Sequence, residues 1–227
     1  MVTNNVTIID YGVGNLLSVR RALEHCGANV SLSSNLADIA TAERLVLPGV
    51  GAFGQAMHKL ETNTLIESIH AFTATERPLL GICLGMQLLL DSSTEFGHHQ
   101  GLGLIGGKVL PIPPYIPPSD TCAIETTNHR GAALKVPNVG WCELHLSAPH
   151  RCWDKTLLKK THEQTSTYFV HSYHAKVDNP IHEIARINYG NTSLAAVINR
   201  GNITGCQFHP EKSGAVGLQI LAQFIAT

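Results

Sequence analysis

The first hundred residues alternate short apolar runs with helix-forming stretches, and this alternation constrains the fold more than any other feature. Four apolar runs predict strands over 6–10, 29–32, 44–47 and 79–82. Apolar residues at spacings of three and four predict helices over 16–26, 55–60, 65–72 and 84–90. Pro48 is expected to stop the third strand. Strands that alternate with helices predict a parallel sheet covered by helices on both faces.

From Gly103 onward the apolar runs become shorter, β-branched and separated by turn residues. They predict added, partly antiparallel strands over 104–110, 167–171, 185–187, 194–198 and 203–208. A last helix is predicted after Ser213, which is expected to cap it. Its apolar side is predicted to hold Val216, Ile220, Leu221 and Phe224. The proline-rich segment 111–138 is predicted to be a surface excursion, either tolerated ornament or a partner contact.

Length and charge limit the classes of function. With 227 residues, the chain can bury a core, and we expect a single α/β domain spanning 1–227. A net charge of −1 gives no electrostatic reason to expect nucleic acid or an anionic membrane as a partner. No apolar run approaches the roughly 20 residues that span a bilayer, and the start lacks the features of a signal peptide. The six cysteines show no metal-ligand spacing, so we expect no metal, and reduced thiols indicate a cytoplasmic protein.

Residues 78–87 place a thiol at the junction of a predicted strand and a predicted helix. Cys83 follows the apolar run directly, with Gly81 and Gly85 two positions to either side. A nucleophile on a sharp strand-to-helix turn needs small residues at this spacing, because larger side chains would collide with the neighbouring backbone. The N-terminus of the following helix would then favour the thiolate. The alternative is a buried structural cysteine, since free cysteines are among the most buried residue types.

A second segment, 205–213, supplies the groups that a cysteine nucleophile needs. His209 can accept the thiol proton, and an imidazole in that role is commonly oriented by a carboxylate on its other nitrogen. Glu211 lies two residues further on, and residues i and i+2 of an extended segment face the same side. Cys83, His209 and Glu211 are therefore predicted to form a catalytic triad. The backbone amide of Leu84, which follows the nucleophile, is predicted to donate to the oxyanion.

At these residues the chain resembles the class I, or triad, glutamine amidotransferases. Similar segments run through nearly the whole chain in the family's order, at 10–16, 47–54, 139–141, 168–173 and 207–213. Their form is similar to that of the glutaminase subunit of imidazole glycerol phosphate synthase. The resemblance implies a flavodoxin-like class I amidotransferase fold without a cofactor, built on a mostly parallel sheet with added antiparallel strands.

The resemblance also implies a reaction and a partner. Cys83 attacks the side-chain amide of L-glutamine, and the ammonia passes to a separate (β/α)8-barrel cyclase subunit in a heterodimer. The cyclase then makes imidazole glycerol phosphate, for histidine biosynthesis, and aminoimidazole carboxamide ribotide.

The same resemblance assigns further site residues. The amide between Val50 and Gly51 is implied as the second oxyanion donor, after reorientation by the partner. Contacts with glutamine are implied for Gly49, Gln87, His171, Ser172 and Tyr173. A place at the partner interface or the ammonia gate is implied for Asn15, Trp141 and Lys212.

Several functions remain compatible with these residues. Cys142 stands where this subunit usually has Asn, and His174 stands where another residue is common. The same glutaminase could serve a different acceptor synthase, in a pyridoxal-phosphate or nucleotide-sugar pathway. The chain could also be a non-catalytic regulatory subunit or a stand-alone cysteine hydrolase. A dinucleotide-binding loop is rejected, because the Gly12-Val13-Gly14 segment has Leu17 where a third glycine is needed.

Overall fold

The computed structural model describes residues 4–114, 134–148 and 151–227. Its strands are β1 (Asn5–Ile9), β2 (Asn29–Ser33), β3 (Leu45–Gly49), β4 (Leu79–Cys83), β5 (Ser92–Ser93), β6 (His99–Gln100), β7 (Gly107–Pro111), β8 (Asn138–Glu143), β9 (His145–Leu146), β10 (Ser166–His171), β11 (Tyr173–Val177), β12 (Glu183–Tyr189), β13 (Thr192–Arg200) and β14 (Ile203–Cys206). Its α-helices are α1 (Leu16–His25), α2 (Leu36–Thr41), α3 (Phe53–Thr62), α4 (Leu65–Thr73), α5 (Leu84–Leu88) and α6 (Gly214–Ile225).

The main sheet is mostly parallel. Within the described residues it has eight strands, in the order β2-β1-β3-β4-β14-β13-β12-β9. The first five strands in this order, β2, β1, β3, β4 and β14, pair in parallel. The last three, β13, β12 and β9, extend the sheet with antiparallel pairing. The predicted fold class, a mostly parallel sheet with added antiparallel strands from the second half, is confirmed.

Helices cover both faces of this sheet, which explains the near-continuous apolar strands. Alternate residues of β3 enter opposite cores: Val46 packs with α1 and α6, while Leu45 and Leu47 pack with α2, α3 and α4. The same alternation separates Leu80 from Leu79 on β4. Only 15% of the residues are charged. A strand buried on both faces has no position for a charged side chain, so the sheet accounts for part of this low fraction.

The register of the central strands assembles the site at one edge of the sheet. Gly49, at the end of β3, pairs with Cys83, at the end of β4. On the other side of β4, Cys206 pairs with Ile82, and the chain reaches His209 three residues later. The carboxyl ends of parallel strands meet at the same edge, where open α/β sheets bind their ligands.

Two smaller sheets of the described residues carry the segment 171–173 to that edge. β10 pairs antiparallel with β8, and the second sheet has the order β11-β7-β5-β6. β10 ends at His171 and β11 begins at Tyr173, so the chain passes from one small sheet to the other at Ser172. Strand pairing therefore holds this segment from both sides.

Some predicted boundaries are wrong for identifiable reasons. β3 does not stop at Pro48 but continues to Gly49. The Pro48 carbonyl faces Tyr11, just beyond the end of β1. The nitrogen of Pro48 faces the same side, where β1 no longer pairs with β3, so the N–H that proline lacks would have made no strand-to-strand hydrogen bond. Ser213 precedes α6 but does not cap it, because its hydroxyl donates to the His209 carbonyl and accepts the Tyr168 N–H instead.

Other differences are smaller. The helix α2 has no counterpart among the predicted elements. The helix α5 ends at Leu88 and the strand β14 ends at Cys206, and both ends lie two residues before the predicted ones. Most of the predicted proline-rich excursion, 115–133, lies outside the described residues. No helix in the described ranges is both long enough and apolar enough to cross a membrane.

Candidate active site

Cys83 sits on a sharp turn between β4 and α5, as the glycine spacing predicts. Its φ is +54°, a left-handed value that is costly for a residue with a side chain. A Cβ on Gly85 would lie 1.8 Å from the Leu47 carbonyl oxygen, and one on Gly81 would lie 2.7 Å from the Gly85 carbonyl oxygen. Only glycine fits at these two positions, so the turn depends on both.

The structure brings His209 and Glu211 together beside this turn. Nδ1 of His209 lies 2.8 Å from Oε1 of Glu211, and the two side chains are 4% and 1% exposed. The intervening segment is not extended as predicted: Pro210–Lys212 forms a single 3-10 turn, which still brings the carboxylate to the ring. The other ring nitrogen, Nε2, is buried and has no hydrogen-bond partner among the described residues.

The surroundings of His209 favour the charged form of its ring. Burial lowers the pKa of His209, but the Cys83 and Glu211 side chains outweigh burial and raise the pKa to about 9. A raised pKa means that the imidazolium is stabilised beside the sulfur and the carboxylate. Cys83 is itself only 7% exposed, and the Gln207 amide nitrogen lies 3.8 Å from its Sγ.

A pocket of about 250 Å³ opens over Cys83 and His209. It is lined by all but one of the residues predicted to bind glutamine or the oxyanion, namely Val50, Gly51, Leu84, Gln87, His171, Ser172 and Tyr173. Gly49 lies beneath it, in a position where a Cβ would meet the Gly85 nitrogen at 2.9 Å. The pocket therefore gathers side chains and backbone from six separate parts of the chain.

The glycine-rich segment after β3 forms one wall. Tyr11 donates its hydroxyl hydrogen to the Pro48 carbonyl at 2.7 Å, which anchors the segment at its start. Beyond Gly49, Val50 is 42% exposed, and Gly51 adopts a φ of +95° with no atom near the position of a Cβ. The backbone here leaves the sheet and passes along the pocket, where a peptide N–H can be presented to a bound carbonyl.

The chain's similarity to known proteins agrees with this geometry. The model for the family "Glutamine amidotransferase class-I" matches residues 7–227. The chain belongs to this family.

Two relatives define its place among these amidotransferases. The imidazole glycerol phosphate synthase subunit HisH 1 of Legionella pneumophila (strain Lens) is 46% identical over 98% of this chain and 99% of its own length. The corresponding subunit HisH of Lacticaseibacillus casei (strain BL23) is 43% identical over 96% of this chain and 94% of its own. The resemblance to this subunit type is thereby confirmed as well as the resemblance to the family.

A solved structure agrees with the fold of this amidotransferase. PurLQS from Thermotoga maritima covers 100% of this chain and 98% of its own with a TM-score of 0.68. At 16% identity, this likeness bears on the fold alone.

Gln87 is placed differently from a simple pocket side chain. Its amide nitrogen donates to the Tyr173 carbonyl at 2.9 Å and to Oε1 of Gln207 at 3.0 Å. It therefore connects α5 to the segment 171–173 and to Gln207, whose side chain contacts Cys83. A direct contact with glutamine stays a prediction.

The sequence reasoning missed Glu95, which is the one carboxylate among the described residues that line the pocket. Its Oε2 accepts the N–H of Phe53 at 2.6 Å, at the start of α3. A helix N-terminus favours a negative charge at this position. No local pattern could have identified Glu95, because its partner lies 42 residues away in the chain.

The three residues predicted at the partner interface are all on the surface and outside the pocket lining. Asn15 is exposed before α1, and Lys212 is exposed directly after Glu211. Trp141 is 57% exposed on β8 and packs edge-on against Tyr168 at 5.9 Å between ring centroids. Their role at an interface stays a prediction.

Proposed function

We propose that this protein hydrolyses L-glutamine to glutamate and ammonia as the glutaminase subunit of an imidazole glycerol phosphate synthase. The observation that carries the proposal is that Cys83, on its sharp turn, and His209, paired with Glu211, line one pocket in a chain of the HisH type. The pocket above Cys83 is of a size that suits one amino acid.

In the proposed mechanism, His209 takes the proton of Cys83, and the sulfur attacks the side-chain carbonyl carbon of glutamine. The negative charge that develops on the oxygen is stabilised by the Leu84 amide and by the amide between Val50 and Gly51. Such donors are each worth roughly 3–4 kcal/mol of barrier. Glu211 keeps the His209 ring oriented and stabilises its charged form.

Collapse of the tetrahedral intermediate then breaks the carbon–nitrogen bond. His209 returns the proton to the departing nitrogen, which leaves as ammonia, and a γ-glutamyl thioester remains on Cys83. Water, deprotonated by His209, attacks the thioester and releases glutamate with the free thiol. Each step moves one proton through the same Nε2, which has no other partner among the described residues.

Charge in the pocket supports an amino acid as the substrate. Glu95 supplies a carboxylate for the α-ammonium group of glutamine, and the segment 171–173, which also lines the pocket, supplies backbone groups. An ion pair in a small, partly closed pocket discriminates against amides that lack the ammonium group.

The proposed partner is a (β/α)8-barrel cyclase that receives the ammonia. The relatives are named as subunits of a synthase, and this chain exposes apolar side chains on its two-stranded sheet. Val139 and Trp141 of β8 and Val170 of β10 are 52%, 57% and 38% exposed, and Val139 is paired with Val170. An exposed patch that includes an aromatic residue is typical of a protein interface.

A glutaminase assay with and without the partner tests the proposal. We expect glutamate release that rises strongly when the cyclase and its ribotide ligand are added, and we expect no release from a Cys83→Ala variant. The matched control is Cys152→Ala, which removes an exposed thiol and should keep the wild-type rate. Glutamate release by Cys83→Ala at the wild-type rate would refute the mechanism, and absence of any effect of the cyclase would refute the partner.

A further inference from the structure

A buried polar chain runs behind the glutamine pocket and is not part of the triad. It begins at Asn138, the first residue of β8, which is only 2% exposed. The Asn138 amide nitrogen lies 3.0 Å from Nε2 of His171, and Nδ1 of His171 lies 2.9 Å from the Tyr173 carbonyl oxygen. His171 is therefore held at both ring nitrogens.

The chemistry of the partners determines where the protons lie. A carbonyl oxygen only accepts, so Nδ1 of His171 must carry a proton in order to bond with Tyr173. The Asn138 NH2 group only donates, so Nε2 must be the unprotonated nitrogen of a neutral ring. The Cys142 Sγ lies 3.7 Å from Oδ1 and 3.8 Å from Nδ2 of Asn138, so it contacts both ends of the amide. The unprotonated Nε2 of His171 is therefore what turns the amide nitrogen toward the ring.

The electrostatic surroundings agree with a neutral His171. Burial, together with the charges of His174 and His209, outweighs the bond to Tyr173 and lowers the pKa of His171 to about 4. Cys83 and Glu95 also face the pocket that His171 lines, and Cys142 lies behind Asn138. The two imidazoles that face this pocket therefore have pKa values shifted in opposite directions, since the pKa of His209 is raised and that of His171 is lowered.

The Tyr173 carbonyl joins this chain to the rest of the site. It accepts both from His171 and from the Gln87 amide, and the Ser172 carbonyl accepts the N–H of Ile112 at 2.9 Å. The backbone of 171–173 is therefore fixed by donors from Gln87 of α5, from Ile112 just after β7 and from the His171 ring. Loss of the bond from His171 would leave the Tyr173 carbonyl held by Gln87 alone among the described residues.

We propose that Asn138 is a positioning residue, which holds His171 as the neutral tautomer with the proton on Nδ1 and so fixes the backbone that binds glutamine. The inference rests on the proposed glutaminase function for its effect on substrate, but not for its effect on the ring.

The ring nitrogens of His171 can be read directly by NMR. In wild-type protein labelled with 15N at histidine, with His171 assigned by the signals missing from a His171→Gln variant, we expect a neutral ring with the proton on Nδ1 near neutral pH. A proton on Nε2, or a doubly protonated ring, would overturn the inference. This measurement needs no Asn138 variant, so a failure to fold cannot obscure it.

The Asn138→Asp substitution supplies the second test. It keeps the shape of the side chain but replaces the donating NH2 by an acceptor, so Nε2 of His171 should gain a proton and the pKa of the ring should rise by about 2 or more. The matched control is Asn188→Asp, which adds the same charge at an exposed position of β12 and should leave the His171 signals unchanged. Unchanged His171 signals in Asn138→Asp would also overturn the inference.

Kinetics separate this inference from the proposed function. We expect Asn138→Asp to raise KM for glutamine by about tenfold while kcat changes less, because the loss falls on substrate positioning. A fall of kcat by about tenfold with an unchanged KM would contradict the positioning role. Absence of wild-type glutaminase activity would refute the proposed function, while the ring tautomer still decides the role of Asn138.

Discussion

Removal of His171 should change how the stability of the protein depends on pH. Burial lowers the pKa of His171 from 6.5 to about 4, so the folded protein leaves this ring neutral where the unfolded chain protonates it. Below pH 6.5 the unfolded state therefore binds more protons, and the free energy of unfolding falls as the pH falls toward 4. Stability from this group is fully present above the pKa of the unfolded chain.

The size of the effect follows from the two pKa values. A pKa of about 4 in the folded state against 6.5 in the unfolded state corresponds to about 3 kcal/mol over the whole window. Between about pH 7.5 and about pH 5, the part lost is about 2 kcal/mol. His209 acts in the opposite sense, since its raised pKa of about 9 contributes stability that is lost as the pH rises from 6.5 through 9.

Urea denaturation across this pH range tests the reasoning on wild type and His171→Gln. The variant is expected to be less stable near neutral pH, because it loses two buried hydrogen bonds, but its stability should fall by about 2 kcal/mol less on acidification. His209 is present in both proteins, so its contribution cancels in the comparison. The control His58→Gln removes an exposed imidazole of α3 and should run parallel to wild type. Parallel curves for wild type and His171→Gln would refute the assignment of a neutral, buried His171.

Three further substitutions test the turn and the pocket. Gly85→Ala puts a Cβ 1.8 Å from the Leu47 carbonyl oxygen and should lower the free energy of unfolding by more than about 4 kcal/mol or prevent folding. The control Gly201→Ala, at a φ of +60° with open space around the new Cβ, should lower it by only about 1–2 kcal/mol. Similar melting temperatures for the two variants would contradict this prediction. Cys83→Gly should be more stable than Cys83→Ala by about 1 kcal/mol in urea denaturation, the reverse of the usual order, because φ is +54°, and a more stable alanine variant would count against strain at the turn. Glu95→Gln should raise KM for glutamine by about tenfold in steady-state assays with a smaller change in kcat, and an unchanged KM would exclude an ion pair with the substrate.

The parts of the site that the sequence predicts are those in which cause and effect lie close together in the chain. Gly81 and Gly85 are required by collisions with backbone near the turn, and the single residue between His209 and Glu211 leaves the carboxylate within reach of the ring. Even there the local conformation differed, because Pro210–Lys212 turns rather than extends.

A local signal was overlooked at α2. Asn35 precedes this six-residue helix, and its side chain accepts from the N–H groups of Ala37 and Asp38. Asparagine is among the preferred N-caps, so the start of the helix was readable. The helix itself is too short to show a clear apolar period, and only Ile39 in it is buried.

Other parts of the site have no local signal. Glu95 reaches the N-terminus of α3 across 42 residues, and Asn138 reaches His171 across 33. Asn138 reaches His171 because the two are cross-strand partners in the antiparallel pair of β8 and β10, and Glu95 reaches Phe53 because the chain after β5 passes the start of α3. Neither residue differs in its sequence context from an ordinary surface Glu or Asn. Ser213 is the opposite case: its position in the sequence predicts a helix cap, but its hydroxyl donates to the His209 carbonyl instead.

The order of residues alone determined the alternation of strands and helices, the turn that presents Cys83 and the pair of groups that activates it. These follow from steric exclusion and hydrogen-bond reach over a few residues, which any chain with this local sequence must obey. Only the tertiary structure decided which nitrogen of His171 is protonated, which carboxylate enters the pocket and where Pro48 could remain in a strand. Those outcomes depend on burial and on partners from distant segments, and both exist only once the sheets have packed together.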